Sequence, residues 1–114
     1  MGYIYGIFIE DKCLYIGQTK RDPNERFKEH KRDIKNKKHK IKSLNTYKIE
    51  DLEFRVLFGL NTDNTLLLSI AECCYNSIYK PKNRCILQQG RNKVILQRCN
   101  KDIAEKLLDC ISAN

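Results

Sequence analysis

The strongest constraint on the fold is a pair of β-prone runs followed at once by a well-marked helix start. Gly2 to Ile9 is rich in aromatic and β-branched residues, and Cys13 to Ile16 reads the same way after the polar break Glu10-Asp11-Lys12. Two such runs joined by a short polar loop predict a β-hairpin. Asp22-Pro23-Asn24-Glu25 then supplies an N-cap residue, a proline at the first helical position and an acid three residues after the cap. A helix is predicted from Pro23 to about Asn36, with Phe27 and Ile34 seven apart on one face and Arg26, His30 and Asp33 on another. One face serves the core and the other is left for chemistry.

The stretch Asn36 to Lys42 has almost no apolar content and predicts an exposed loop or a fraying helix end. Leu44 to Ile49 predicts a short helical turn. Leu52 to Leu60, with Phe54, Val56, Leu57 and Phe58, predicts a buried strand. Asn61-Thr62-Asp63-Asn64 is a turn and cap cluster that opens a helix from Thr65 to Tyr79, stopped by Pro81. Beyond it Asn83 to Gly90 reads as irregular, Val94 to Gln97 as a short strand, and Ile103 to Ile111 as an amphipathic helix carrying Ile103, Leu107, Leu108 and Ile111. No internal repeat, low-complexity linker or second domain interrupts this order, and 114 residues suffice to bury one core without staples.

Charge narrows the class of partner. A formal net charge of +8 with a pI near 9.2 favours a polyanion, with nucleic acid first and an acidic membrane surface second. No apolar stretch approaches the ~20 residues needed to cross a bilayer, and the N-terminus lacks the layout of a signal peptide. The expected protein is soluble and intracellular and has no membrane partner. Of the six cysteines, Cys13, Cys73, Cys74, Cys85, Cys99 and Cys110, none forms a CxxC pair and several fall in apolar segments. Reduced, mostly buried thiols are expected rather than zinc ligands or disulfides.

What remains is a scattered polar set. Tyr3-Ile4-Tyr5 is followed by Tyr15-Ile16-Gly17, then by Arg26 and His30 four apart on a helix, then by Glu72 in an apolar helix, then by Pro81-Lys82-Asn83. Glu72 interrupts Leu66-Leu67-Leu68-Ser69-Ile70-Ala71 and Cys73-Cys74. A carboxylate there needs a partner, because an unpaired buried charge is very costly. Taken singly, the hairpin tyrosines read as packing residues and the Arg/His pair as a solvated face. Their order and spacing, with Tyr15 ten positions after Tyr5, resemble the GIY-YIG nuclease superfamily over about residues 2 to 85.

That resemblance implies a small α+β fold, a three-stranded antiparallel sheet flanked by helices. It implies a catalytic core over 1–85, with 86–114 as a strand and helix extension packed on the same domain. It also implies an active site of Tyr5, Tyr15, Arg26, His30, Glu72 and Asn83. One departure is Tyr3, which stands where the family usually has glycine. In the family's terms Tyr5 takes a proton from the attacking water. A phenol with an ordinary pKa of about 10 is a poor base at neutral pH, so Tyr5 needs help from Arg26 or His30. Arg26 offers a planar fork for the phosphate, and Asn83 a supporting hydrogen bond.

For Glu72 the implied partner is Mg²⁺ or Mn²⁺, a hard cation that keeps several waters and bridges to phosphate; the alternative is a buried salt bridge to Arg26, Arg55 or a lysine. Lys31, Arg32, Lys35, Lys37, Lys38, His39, Lys40 and Lys42 form the expected contact with the DNA backbone, or else a solvated surface. The implied function is a metal-dependent DNA endonuclease. Its rivals are a nucleic-acid-binding module or nuclease subunit that cleaves nothing, and a basic structural protein. The chain leaves no room for a separate DNA-recognition domain, so a targeting protein partner, and a homodimer through the last helix, both stay open.

Overall fold

The computed structural model describes residues 1–81 and 100–112. Strands β1 (Gly2–Ile9) and β2 (Lys12–Thr19) form the hairpin, β2 running past the expected Ile16. Helix α1 (Pro23–Lys35) starts where its cap chemistry dictates: the Asp22 side chain accepts from the Asn24 backbone N–H at 3.0 Å. The expected single turn near Leu44 is two short 3₁₀ segments, Lys42–Thr46 and Ile49–Asp51. Strand β3 (Glu53–Leu60) and helix α2 (Thr65–Tyr79) follow. Asn64 caps α2 by accepting from the N–H groups of Leu66 and Leu67, and Lys80 ends it in the left-handed conformation at φ 47°. Helix α3 (Lys101–Ser112) completes the described order. The expected strand Val94–Gln97 lies outside the described residues.

The sheet is antiparallel, in the order β2-β1-β3. Two bulges set which side chains meet. Between Ile7 and Phe8 the β1–β2 register slips by one, leaving Leu14 as the extra residue on β2. Leu14 and Tyr15, neighbours in the chain, consequently both enter one core. That core, with Tyr5, Ile7, Phe27, Ile34, Ile41 and Leu44, lies between one face of the sheet and α1 with the 3₁₀ segments. The second core holds Ile4, Phe8, Cys13, Ile16, Ala71, Cys74, Ala104 and Leu108, between the other face and α2 with α3. Each fully buried large apolar side chain contributes roughly 1.5–3 kcal/mol to holding the layers together.

Helix α3 packs against α2 through Ala104, Leu108 and Ile111, while Ile103 and Leu107 stay exposed. Cys13, Cys73 and Cys74 are buried as expected, whereas Cys110 is exposed; Cys85 and Cys99 lie outside the described residues. No cluster of three or more His, Cys, Asp or Glu residues able to hold a metal occurs among the described residues. Nor is any described helix long and apolar enough to cross a membrane.

Candidate active site

Tyr5 and Tyr15 point to the same face of the sheet. The register sets Tyr5 opposite Gly17 and Tyr15 opposite Ile7, so the two tyrosines are diagonal neighbours with ring centroids 6.1 Å apart. Gly17 leaves the space that their rings occupy. A Cβ at that position would lie 2.6 Å from the Tyr5 hydroxyl oxygen and 2.7 Å from Tyr15 Cε1. The glycine of Tyr15-Ile16-Gly17 therefore answers a packing demand made by both tyrosines. Tyr3, where the resemblance expects glycine, lies half-buried near Gly59 of β3.

Helix α1 closes over the pair. Phe27 meets the Tyr5 ring edge-on at 5.5 Å, and His30 meets Tyr15 at 5.2 Å. The Tyr5 hydroxyl lies 2.7 Å from His30 Nε2, with both residues 1% exposed. Burial first, and then the nearby Arg26 charge and His39, drive the His30 pKa down to about 3 against a weaker upward pull from Glu29. His30 is thus neutral at physiological pH.

His39 does not lie on the solvated surface that its lysine-rich surroundings suggest. It is buried, because Ile41 and Leu44 insert into the core beside Tyr15 and draw the segment inward. Its Nε2 lies 2.7 Å from His30 Nδ1, its Nδ1 accepts from the Ile41 backbone N–H at 3.0 Å, and its ring stands edge-on to Tyr15. Burial lowers its pKa as well. Both ring nitrogens of His39 are thus engaged within the protein, so it does not stand on the exposed loop that the sequence predicts, although its ring is part of the cleft lining. Asn45, which sequence reading did not single out, grips both backbone polar groups of His39: its Oδ1 accepts from the His39 N–H at 3.0 Å and its Nδ2 donates to the carbonyl at 3.2 Å.

Arg26 stands at the mouth of a cleft of about 320 Å³ lined also by Tyr15, His30, Asp33, Lys38, His39 and Lys40. Its guanidinium is held at 3.3 Å from Glu29, which also binds Arg21 at 2.5 Å. The guanidinium has five N–H donors, so others remain for a ligand. Burial raises the Tyr5 phenol above its ordinary range; the Arg26 charge and hydrogen bonds from Tyr15 and Arg26 oppose that rise, and Glu72 adds to it. Tyr15 is raised further, again chiefly by burial. Of the two, Tyr5 is the phenol whose ionisation is less disfavoured.

Glu72 comes from α2, on the other face of the sheet, and reaches round β2. It is 3% exposed, and its carboxyl pKa rises to about 7 through burial, opposed only by a hydrogen bond from Gln18. Gln18 Nε2 lies 3.5 Å from Glu72 Oε2 and 3.3 Å from Ser69 Oγ, tying β2 to α2. The salt-bridge alternative does not hold among the described residues, since Arg26 pairs with Glu29 and Arg55 with Glu53 at 2.7 Å. Among the described residues no cation pairs with this buried carboxyl group, and burial favours its neutral form.

The lysine run divides between two places. Lys38 and Lys40 line the Arg26 cleft. Lys31, Arg32, Lys35 and Lys37 line a second cleft of about 500 Å³ on the far side of α1, together with Asn45, Tyr47, Lys48, Ile49 and Glu50. Lys31 also sits over the Phe54 ring at 5.2 Å. Lys42 is exposed on the first 3₁₀ segment and lines neither cleft. Lys20, beside the second tripeptide, is committed to structure, donating to Asp63 O and Thr65 Oγ1 at 2.9 Å each. Asn83 lies outside the described residues.

The structure therefore brings together Tyr5, Tyr15, Arg26 and His30, while Glu72 lies on α2 against Gln18 of β2. Sequence reading missed Gln18, Asn45 and the inward position of His39. The available signals were weak: a polar residue directly after the second tripeptide, and two apolar residues, Ile41 and Leu44, inside a lysine-rich segment. No curated protein and no solved structure matches the chain. The sequence profile of the GIY-YIG catalytic domain matches residues 1–84. With that match covering most of its length, and with the three-stranded sheet and paired tyrosines in place, the chain belongs to the GIY-YIG family of nuclease-type domains.

Proposed function

We propose that the chain is an endonuclease that hydrolyses DNA phosphodiester bonds with the help of Mg²⁺ or Mn²⁺. The observation that carries this reading is the Tyr5 hydroxyl, buried beside the Arg26 guanidinium and against His30, two residues that themselves line a basic cleft. In its ionised form Tyr5 takes a proton from water as the water oxygen attacks phosphorus. One P–O bond forms, the opposite P–O bond breaks, and the departing oxygen takes its proton from solvent. Arg26 binds the scissile phosphate and meets the negative charge that grows on its oxygens. Tyr15, its ring 6.1 Å from that of Tyr5, opposes part of the rise that burial imposes on the Tyr5 phenol.

Glu72 would hold the divalent ion through its carboxylate, and the ion would supply charge neutralisation at the phosphate and the departing oxygen. Gln18 orients that carboxylate. Lys38 and Lys40 add attraction for the DNA backbone without reading sequence, and Asn83 is proposed as a supporting hydrogen-bond partner. Lys31, Arg32, Lys35, Lys37 and Lys42 are proposed as further backbone contacts.

The test is cleavage of supercoiled plasmid and branched DNA with Mg²⁺ or Mn²⁺, beside Tyr5→Phe and Glu72→Ala. The reading expects metal-dependent cutting that both substitutions abolish. Binding without cutting, unchanged by either substitution, would make the chain a nucleic-acid-binding module instead.

A further inference from the structure

We infer that His39 is a positioning residue for the hydrolysis proposed above, fixing the tautomer of His30 so that His30 donates a hydrogen bond to the Tyr5 oxygen and cannot receive its proton. The inference rests on the nuclease reading for its catalytic consequence, but the hydrogen-bond directions follow from geometry alone.

The chain of directions begins at a group with no choice. The backbone N–H of Ile41 can only donate, and it lies 3.0 Å from His39 Nδ1. That nitrogen must present a lone pair, so the neutral ring carries its proton on Nε2. His39 Nε2 in turn lies 2.7 Å from His30 Nδ1. The Nε2–H of His39 donates, His30 Nδ1 accepts, and the His30 proton is forced onto Nε2. His30 Nε2 lies 2.7 Å from the Tyr5 hydroxyl. The last bond therefore runs from His30 Nε2–H to the Tyr5 oxygen.

Neither ring has room for a second proton. On His39 it would face the Ile41 N–H, and on His30 it would face the His39 N–H. Both rings are buried, and burial is the largest cause that disfavours a cation on either; the Arg26 charge adds to it at His30 against a weaker pull from Glu29, while at His39 Asp33 pulls the other way more strongly than Arg26 or Lys40 pushes, and burial still prevails. Asn45 holds the arrangement by clamping the His39 backbone on both sides.

The consequence for chemistry is specific. His30 is closed as a proton acceptor for Tyr5, because one ring nitrogen already bears hydrogen and the other is occupied by His39. The phenol proton has to leave by a route other than His30, and the phenolate it leaves behind receives an N–H from His30. His30 thus lowers the cost of the ionised phenol while taking no part in proton transfer, and His39 sets that role without touching substrate.

The experiment uses the full chain labelled with ¹⁵N-histidine, reading each ring nitrogen through its coupled carbon-bound protons between pH 6 and 8, alongside plasmid cleavage by His39→Leu and His39→Gln. The expected result is a proton on Nε2 of both rings across that range. His39→Leu, which removes the donor to His30 Nδ1, is expected to lower kcat by about tenfold or more with KM unchanged. His39→Gln, whose amide can donate in place of Nε2–H, should restore most of it. A His30 proton found on Nδ1, or a His39→Leu protein that cuts at the wild-type rate, or a natively folded His39→Gln protein as slow as His39→Leu, overturns the inference. Wild-type protein that cuts no DNA yet shows the Nε2 pattern overturns the nuclease reading and the catalytic role of His39 together, leaving only the hydrogen-bond relay.

Discussion

Gly17 and Tyr5 face each other across the β1–β2 ladder, and the Tyr5 hydroxyl occupies the volume that any larger residue at 17 would claim. Gly17→Ala places a methyl group 2.6 Å from that oxygen, within contact distance that neither ring can yield without losing His30 or Phe27. The expected outcome is a loss of roughly 1–3 kcal/mol of stability and of most cleavage, measured by urea unfolding and by plasmid nicking. Wild-type stability and rate in this variant would show that the tyrosine pair has slack.

Glu72 makes the metal-free protein less stable as pH rises. Its folded pKa of about 7 exceeds the ordinary 4.5, so the folded state holds this proton more tightly than the unfolded chain does. The stability lost on going from pH 4.5 through pH 7 is at most about 3.5 kcal/mol, at about 1.4 kcal/mol per pKa unit. Thermal melts in EDTA should find Glu72→Gln more stable than wild type at pH 8 and about equal to it at pH 4.5. Adding Mg²⁺ at pH 8 should raise the wild-type Tm and leave that of Glu72→Gln where it was.

His30 works in the opposite sense. A folded pKa of about 3 against an ordinary 6.5 means that the unfolded chain binds this proton more readily, so the contribution is complete above pH 6.5 and is lost as pH falls toward 3. Urea midpoints between pH 7 and pH 4 should fall less steeply for His30→Gln than for wild type. Parallel curves would mean that the ring is not held neutral by burial.

Cleavage should rise with pH. The phenol of Tyr5 is raised above its ordinary value of 10.0, so its ionised fraction grows about tenfold per unit across the neutral range. Below pH 7 the protonation of Glu72 steepens the decline. Extra Mg²⁺ should recover the Glu72 part of that loss and leave the Tyr5 part untouched.

Lys38 and Lys40 share the cleft with Arg26, whereas Lys31 and Lys35 line the second one. Replacing any of them by alanine should reduce the salt dependence of DNA affinity by about one phosphate contact each. Only the Lys38 and Lys40 changes should also lower kcat, measured at saturating DNA and one fixed salt concentration, because only they line the cleft that holds Arg26. Equal kinetic effects from both groups would make the division between the clefts irrelevant to catalysis.

The elements legible in the sequence were those written locally. Asp22-Pro23 placed the start of α1 because a cap needs only its own turn, and Asn64 with Pro81 framed α2 for the same reason. The tyrosines, Arg26, His30 and Glu72 were legible through order and spacing. Gln18 was not, since its partners Ser69 and Glu72 are more than fifty positions away and nothing local marks an amide as a strut. His39 was misplaced because lysine neighbours dominate a reading by composition, while its burial depends on Ile41 and Leu44 finding the core. The two bulges, which let Leu14 join Tyr15 and fix the tyrosine alignment, have no signature in the strands that carry them.

The phenol belongs to one side of the sheet and the carboxylate to the other, with only the outer strand β2 between them. The described link between the two halves is the Gln18 side chain of β2, whose amide reaches Ser69 and Glu72 of α2. A change in the pitch of that one strand would therefore shift phenol and carboxyl group relative to each other.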